Sequence, residues 1–421
     1  MRRNTGGHSS AELYLGSDLG TSGARAVVID SAGEVVGTAK SALSDHAGSP
    51  RSPDVWWAAT RHAVRAALSD VAAKNVVALA VDGTSGTMLP IDADGTPLSD
   101  GLMYNDVCTD AELLERIATA SPESTAARGA TSGLARAVQL LSRAPALVVH
   151  QADWIAGQFS GRWISDENNA LKTGYDPVSG EWPGWVAEVI DPAILPEVVA
   201  PGTVVGQVGA NDFGLSADCN VVAGTTDGCA SFLATGAAQA GDGVSALGST
   251  LTIKLLSDKP VFAPQFGIYS HKILGLWLAG GASNTGGNAL LSEFSAPEIA
   301  ALSDMIDPET DTGLSYYPLA RPGERFPVSD PEYRPVMGPR PAKDSEHLKA
   351  MFEGIAAIEA QAYGRLAELG APALRSVRSV GGGAANARWT RIRERRLSVA
   401  MPEPLSSEAA HGTALLAKSA S

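Results

Sequence analysis

Four places in this chain set chemistry-bearing residues at the end of an apolar run. Asp18 closes LYLGSDL and is followed by Gly20-Thr21-Ser22-Gly23. Asp82 closes NVVALAVDG and is followed by Thr84-Ser85-Gly86. Asp227 comes after Val221-Val222-Ala223, inside Gly-Thr-Thr-Asp-Gly, and Gly381-Gly382-Gly383 follow SVRSV. Glycines let backbone N–H groups approach an oxyanion closely, hydroxyls add donors, and a carboxylate holds a metal through water. Asp227 at a helix start has the makings of a general base for a hydroxyl attacking phosphorus, a step in which only one such base is needed. Each feature also has a plain structural reading. Asp18 alone is a turn cap, and Asp227 alone is a helix cap. The glycine triplet is a tight turn or a bed for adenine and ribose, and Gly248-Ser249-Thr250 is a turn or a phosphate cradle.

The elements that must position these groups follow from pattern. LYLGSDL and ARAVVID (13–19 and 24–30) read as two strands around a glycine turn, with EVVGTAK a third, so the chain starts as an antiparallel meander. Asp54 is the expected N-cap of a helix running through VWWAATRHAVRAALSDVAAK, with Trp56 in the core and Trp57 nearer the surface. NVVALAVDG is a buried strand. Residues 111–162 read as mostly helical and 163–190 as loops. After 221–223 a turn leads to a small-residue helix, and GDGVSALGSTLTIKLL looks like a second meander, placing a domain boundary between 236 and 245. The basic run RWTRIRERR (388–396) reads as a solvated helix face.

Composition excludes several classes. The 421 residues are 44% hydrophobic, enough for two domains. The 46 acidic against 32 basic residues give a net charge of −14, which argues against a broad nucleic-acid footprint. Cys108, Cys219 and Cys229 have no metal-like spacing and read as reduced thiols. His150, His271 and His411 are too dispersed for a zinc motif. There is no GxxxxGK[ST] loop, no GxSxG elbow and no apolar stretch of about 20 residues. The opening MRRNTGGHSS lacks an apolar signal region and reads as part of a disordered tail over 1–12.

Taken in order, the junctions resemble the FGGY family of carbohydrate kinases. The resemblance rests on DLGTSGARAVVID (18–30), VDGTSGTMLPID (81–92), YND (104–106), DENNALKTGYD (166–176), AGTTDGCASFLATG (223–236), GERFP (323–327), GGGAANARW (381–389) and EAAHGTALLA (408–417). It implies an α/β, two-domain actin/Hsp70/hexokinase-like ATPase fold. The domains would be duplicated and ribonuclease H-like, each with a mixed five-stranded sheet, closing on an interdomain cleft. A sugar-binding domain would span 13–240 and a nucleotide-binding domain 241–421. ATP and Mg²⁺ are the implied cofactors. By the same resemblance Asp227 is the catalytic base and Asp18 is associated with the metal. Thr21, Ser22, Gly248, Ser249 and Thr250 lie by the phosphates, and Gly382, Gly383 and Asn386 at the adenosine end. Asp82, Thr84, Met88 and Asp106 face the sugar.

The sequence departs from the family's pattern at three points. Tyr104-Asn105-Asp106-Val107-Cys108 stands where Trp-x-Asp-x-Arg is common, so the arginine is absent. Thr87-Met88-Leu89 stands where xylulokinases usually carry Gln-Met-His, and Arg391 and Arg393-Glu394 replace a late Gln and Ala-Asp pair. With the short DGTSGT form, these departures resemble a compact xylulokinase-like branch of plants and cyanobacteria, for which D-ribulose is the expected substrate. D-xylulose kinase, or a catalytically weak sugar-binding or regulatory protein of the same fold, is the alternative. The implied partner is a small sugar, with no nucleic acid and no membrane. The implied protein is a cytoplasmic monomer or homodimer, or one of an organelle stroma if the source is plant-like.

Overall fold

The alternating strands at the start of the chain form the expected meander. In the computed structural model, which describes residues 12–420, β1 (Leu13–Leu19) and β2 (Gly23–Asp30) pair antiparallel and β3 (Val35–Ala42) adds to β2. The tail expected over 1–12 lies, save Glu12, outside the described residues. Helix α1 (Pro53–Ala67) buries Val55, Trp56, Ala59 and Val64 against this meander. Its N-cap is Ser52, not Asp54. Pro53 takes the first helical position, where a missing N–H costs nothing, and Asp54 falls in the first turn. The helix stops at Ala67 rather than Lys74. Trp57 is half-buried and meets Phe159 and Phe213 edge-on.

The rest of the first half wraps this framework. Strand β4 (Val76–Gly83) lies parallel to β1. Strand β5 (Met88–Ile91), helices α2 (Ala111–Ala120) and α3 (Gly133–Leu140), strand β6 (Leu147–His150) and helix α4 (Gln151–Ser160) follow. Then come β7 (Ile164–Asp166), α5 (Glu167–Ala170), β8 (Glu197–Val199), β9 (Val204–Gln207), β10 (Asn220–Thr226) and α6 (Asp227–Ala234). The mostly helical stretch therefore contains β6, which pairs antiparallel with β5. The expected loop over 163–190 contains β7 and α5. The main sheet has six strands, ordered β3-β2-β1-β4-β10-β9, one more than expected because β9 pairs antiparallel on β10.

The second half builds a five-stranded mixed sheet from β11 (Asp242–Leu247), β12 (Leu251–Ser257), β13 (His271–Ile273), β14 (Leu276–Ser283) and β15 (Ser376–Val380). Its order is β13-β14-β12-β11-β15. Helices α7 (Gly287–Leu291), α8 (Ala296–Ser303), α9 (Asp344–Glu368) and α10 (Ala387–Leu397) accompany it. The long α9 buries Leu348, Met351, Phe352, Ile355, Ile358 and Leu366, spaced three and four apart as a core-facing helix requires. A last helix, α11 (Ala409–Ser419), closes the chain.

These elements fall into two compact units, one running through Ala234 and resuming at Glu408, the other spanning Thr235–Ser407. The boundary expected at 240/241 lies just past the observed exit at Ala234. The closing segment, expected with the second domain, packs in the first unit instead. Glycine makes that possible. A Cβ on Gly16 would collide with the backbone of Ala410 and Ala414, and one on Gly412 with the backbone of Ala230. Helix α11 therefore lies directly on β1 and α6, sealing Tyr14, Ala78, Ala80 and Val222 beneath Ala410 and Ala414. No helix among the described residues is long and apolar enough to cross a membrane.

Candidate functional site

The parallel pairing of β1, β4 and β10 brings three aspartates to one sheet edge. Asp18 stands opposite Asp82 in the β1–β4 register. Thr225 stands opposite Asp82 and Thr226 opposite Gly83 in the β4–β10 register, and Asp227 follows at once as the first residue of α6. In place of the turn expected within Gly-Thr-Thr-Asp-Gly, β10 continues through Thr226 into the helix, its register on β4 shifting between Val222 and Thr225. Gly224 serves the strand: a Cβ there would strike the carbonyl of Val81 on β4.

The environment of the three carboxylates differs. Asp82 is wholly buried. Burial raises its carboxyl well above the ordinary range, and the charge of Asp18, a carboxyl-to-carboxyl contact with Asp18, and the charge of Asp227 raise it further, while a bond from Thr413 opposes them. Thr413 Oγ1, on α11, donates to Asp82 Oδ2. Expected on the sugar side, Asp82 instead backs Asp18. Its neighbours are a helix and a strand, not solvent. Asp18 is 3% exposed, and Arg25 Nη1 donates to its Oδ2 at 3.1 Å. Asp227 is half-buried, with Gly228 N donating to its Oδ1 at 2.7 Å. Thr21 and Ser22 are exposed at the β1–β2 turn beside Asp18.

The remaining residues expected on the sugar side divide. Thr84 is buried, bonded to Thr87 Oγ1 at 2.6 Å, and held by Gln151 Oε1, which accepts from Thr84 Oγ1 at 2.9 Å and Thr84 N at 3.2 Å. Met88 is fully buried in the apolar cluster with Ile117 and Leu134, because β5 is a core strand. It leaves no surface to a ligand. Asp106 is at the surface, bonded by Arg51 through both oxygens and by Met103 N. The Arg51 bond first, then the Met103 bond and the charges of Arg51 and Arg136, hold its carboxyl below the ordinary range against the opposing effect of burial. Arg136 lies buried behind, donating to the carbonyls of Gly86, Thr131 and Asp106. Desolvation lowers its guanidinium to about 10.

The second unit presents a different edge. Gly248 and Ser249 are exposed at the β11–β12 turn and Thr250 is half-buried. The carbonyls of Gly248 and Ser249 accept from Gly287 N at 2.9 Å and Asn288 N at 3.0 Å, which fixes the turn on the start of α7. A Cβ on Gly382 would have nothing within 4 Å. One on Gly383 would press on Trp389 and Leu247, at 2.6 and 2.8 Å. Gly381, at φ +85°, has no room either, lying against the carbonyl of Leu247. Thus Gly382 faces open space while its neighbours are required by packing. Asn386 caps α10, accepting from Trp389 N at 3.0 Å, and its amide donates to Ser303 Oγ at 2.8 Å.

The residues suit Mg²⁺ carried with a phosphate ligand. Asp18 and Asp82 crowd two carboxyls at one point, which favours a proton or a dication between them. Among the described residues no group of three or more His, Cys, Asp or Glu could hold a metal unaided. Mg²⁺ characteristically takes one or two carboxylates, water and substrate phosphate rather than a protein cage.

Several residues escape sequence reading. Arg51, Arg136, Gln151 and Thr413 carry no local signal, since each acts on a partner distant in the chain. His150 sits in a buried network with Asp153 (2.9 Å), Ser165 (3.2 Å) and Thr173 (3.1 Å). Arg393, expected on a solvated face, is fully buried. It bonds Glu359 through Nε and Nη2 at 2.6 and 2.7 Å and Ser379 Oγ at 2.7 Å.

Comparison with known proteins gives a consistent family. Residues 13–129 match the N-terminal domain of the FGGY family of carbohydrate kinases, and residues 236–421 its C-terminal domain. A xylulose kinase from Streptomyces rubiginosus is 30% identical over 274 residues, covering 60% of this chain and 56% of that relative. The chain thus matches little more than half the length of that protein. A xylulose kinase from Escherichia coli K12 is 25% identical over 417 residues, covering 90% of this chain and 84% of its own length. Among solved structures, a gluconate kinase from Lactobacillus acidophilus superposes with a TM-score of 0.81 at 16% identity, covering 98% of this chain and 89% of its own. That likeness concerns the fold alone.

Proposed function

This chain belongs to the FGGY family of carbohydrate kinases, and on that premise we propose that it transfers the terminal phosphoryl group of ATP to the terminal hydroxyl of a ketopentose. D-xylulose ranks before D-ribulose. The observation that carries the reading is the meeting of Asp18, Asp82 and Asp227 at one sheet edge. The first unit would hold the sugar and the second the nucleotide.

In this reading Asp227 receives the proton of the attacking hydroxyl, and α6 and Gly228 N fix its orientation. Asp18, with Asp82 and Thr413 behind it, would hold Mg²⁺ through water. The metal's contribution when bound is to neutralise charge on the transferred phosphate. Thr21 and Ser22 would bond that phosphate from the first unit. Within the second unit, Gly248, Ser249 and Thr250 would bond phosphates of the nucleotide, with the open face of Gly382 toward the adenosine. Asn386 would act there by shaping the start of α10, since both ends of its amide are engaged.

The substrate order follows the relatives. Both curated relatives named above are xylulose kinases, and the D-ribulose branch expected from the short DGTSGT form finds no support among them. The fold does not choose the sugar, since a gluconate kinase shares it. The altered Arg391–Glu394 segment has a structural account in the buried Arg393–Glu359 pair.

A coupled ADP-release assay over D-xylulose, D-ribulose, L-ribulose, ribitol, xylitol and glycerol tests this. The highest kcat/KM is expected for D-xylulose. A preference for D-ribulose would reverse the order, and no sugar-dependent turnover with any of them would sink the kinase reading. Asp227→Ala is expected to lower kcat by about 10²–10⁴-fold, the range for loss of a positioned base, while sugar and ATP still bind. Turnover near wild type would remove Asp227 from the role.

A further inference from the structure

Arg51 lies in the loop ahead of α1, outside every motif considered above. Its guanidinium grips Asp106 as a fork, Nη1 to Oδ2 at 2.5 Å and Nη2 to Oδ1 at 2.8 Å. Met103 N adds a third bond to Oδ2, at 2.8 Å. A carboxylate offers about four acceptor sites and a guanidinium five N–H donors. The pair therefore retains one acceptor site and several donors, side by side. The Arg51 side chain is 45% exposed and that of Asp106 24%, so these groups face solvent.

Exposed ion pairs usually form between mobile side chains and are worth about 0–1 kcal/mol. This one is held from both sides. Arg51 O accepts from Gly101 N at 3.0 Å, and Asp106 N donates to Met103 O at 2.9 Å. Asp106 O accepts from buried Arg136 at 3.2 Å, and Tyr104 N donates to Thr87 Oγ1 at 3.1 Å. Close to Asp106 in the chain, Tyr104 is 43% and Val107 61% exposed, so apolar surface accompanies the donors and the acceptor. A sugar has the matching surface, with C–H groups on one side and adjacent hydroxyls along the edge.

We propose that Arg51 is a substrate-contacting specificity residue, the Arg51–Asp106 pair reading two adjacent hydroxyls of the sugar away from its reacting end. The guanidinium donates to one hydroxyl oxygen, and Asp106 accepts from the next. The fork is electrically neutral as a pair, and its free donors and remaining acceptor site suit hydroxyls, which both donate and accept. The inference rests on the sugar-kinase reading and deepens it, because it names the group that recognises the substrate.

The test is a KM-against-kcat split on Arg51→Ala, with D-xylulose as the varied substrate. KM for the sugar is expected to rise tenfold or more, with kcat within about threefold and the KM for ATP unchanged. Arg51→Lys keeps the charge but not the fork and should fall between. The acid limb of kcat/KM should also move toward neutral pH in Arg51→Ala. Asp106 would lose the cation that holds its carboxyl low, leaving only the more distant Arg136, with Asp100 the other charge facing Arg51. A sugar KM within twofold of wild type, or a loss confined to kcat, overturns the proposal. If Arg51→Ala does not fold by thermal melt, Arg51→Lys decides by the same criteria, a threefold or larger rise in KM being the expected result. If wild type shows no sugar-dependent turnover, the kinase reading fails. Calorimetric binding of D-xylulose to wild type and Arg51→Ala then tests the fork alone, and equal affinities overturn it.

Discussion

The first hairpins of the two units are built alike and carry opposite chemistry. In the first unit β1 pairs antiparallel with β2 and parallel with β4. In the second, β11 pairs antiparallel with β12 and parallel with β15. Two residues before the turn glycine, β1 has Asp18 and β11 has Ala246. Across the parallel register, Asp18 faces Asp82, whereas Ala246 faces Val380. One topology thus supplies the same strand ends twice, and side-chain identity alone makes one edge acidic and the other neutral. Like charges repel strongly at low dielectric, so an acidic strand end disfavours a bare anion beside it and a neutral strand end does not.

The largest effects should come from exchanging these characters. Asp18→Asn removes one buried carboxylate from the acidic edge and is expected to lower kcat by about 10²-fold or more, the scale of a lost electrostatic group in an active site. Ala246→Asp is the converse. It places a carboxylate beside Gly248 and should raise the KM for ATP about tenfold, leaving the KM for the sugar unchanged. Steady-state kinetics with each substrate varied in turn separates the two. Equal damage to both KM values from Ala246→Asp would mean the edges are not specialised in this way.

A finer contrast lies between two glycines. Gly16 admits the backbone of α11, and Gly382 faces open space. Gly382→Val should leave the melting temperature within a few degrees and raise the KM for ATP several-fold, because the new side chain occupies volume that only a ligand would use. A melting temperature lowered as far as expected for Gly16→Val, where backbone collides with side chain, would place Gly382 among the packing glycines instead.

How much of this was legible in the chain depends on distance along it. The strands of the meander and β4 alternate or run apolar over seven or eight residues, so local pattern sufficed. Asp54 is an attractive cap by residue type, but α1 begins at Pro53, whose fixed φ is preorganised for the first helical position, and this leaves Ser52 at the N-cap. The continuation of β10 to Thr226 is hidden because Gly224-Thr225-Thr226 has turn composition. Its glycine answers a close approach to Val81, which only the folded sheet reveals. The basic run in α10 misled because Arg393 meets a carboxylate 34 residues away. Asp106 was visible through its motif but its partner Arg51 lies 55 residues off, and Thr413 lies 331 residues from Asp82. Strand ends were readable, and the groups that finish the site from other elements were not.

The smallest effect concerns how each unit neutralises a buried carboxylate. In the second unit Glu359 has a guanidinium, Arg393, both fully buried. In the first, Asp166 is buried among amides. Its Oδ1 accepts from Asn168 N and Asn169 N at 2.9 and 3.1 Å, and its Oδ2 from Asn169 Nδ2 at 2.6 Å. Burial first, and then the charge of Asp153, raises its carboxyl to about 7. The folded chain therefore holds a proton on Asp166 that the unfolded chain has lost above pH of about 4. Stability from this group is fully present below that pH and declines as the pH rises through about 7, with a slope of up to about 1.4 kcal/mol per pH unit. Asp166→Asn keeps the acceptor for the two backbone N–H groups. Asn169 Oδ1, which has no partner now, can receive the new amide after a flip. Urea midpoints between pH 5 and 7.5 should show wild type losing stability relative to Asp166→Asn as the pH rises. Parallel curves would mean that Asp166 stays ionised in the fold, and the contrast with the Glu359–Arg393 pair would then lie in amide solvation rather than in a proton.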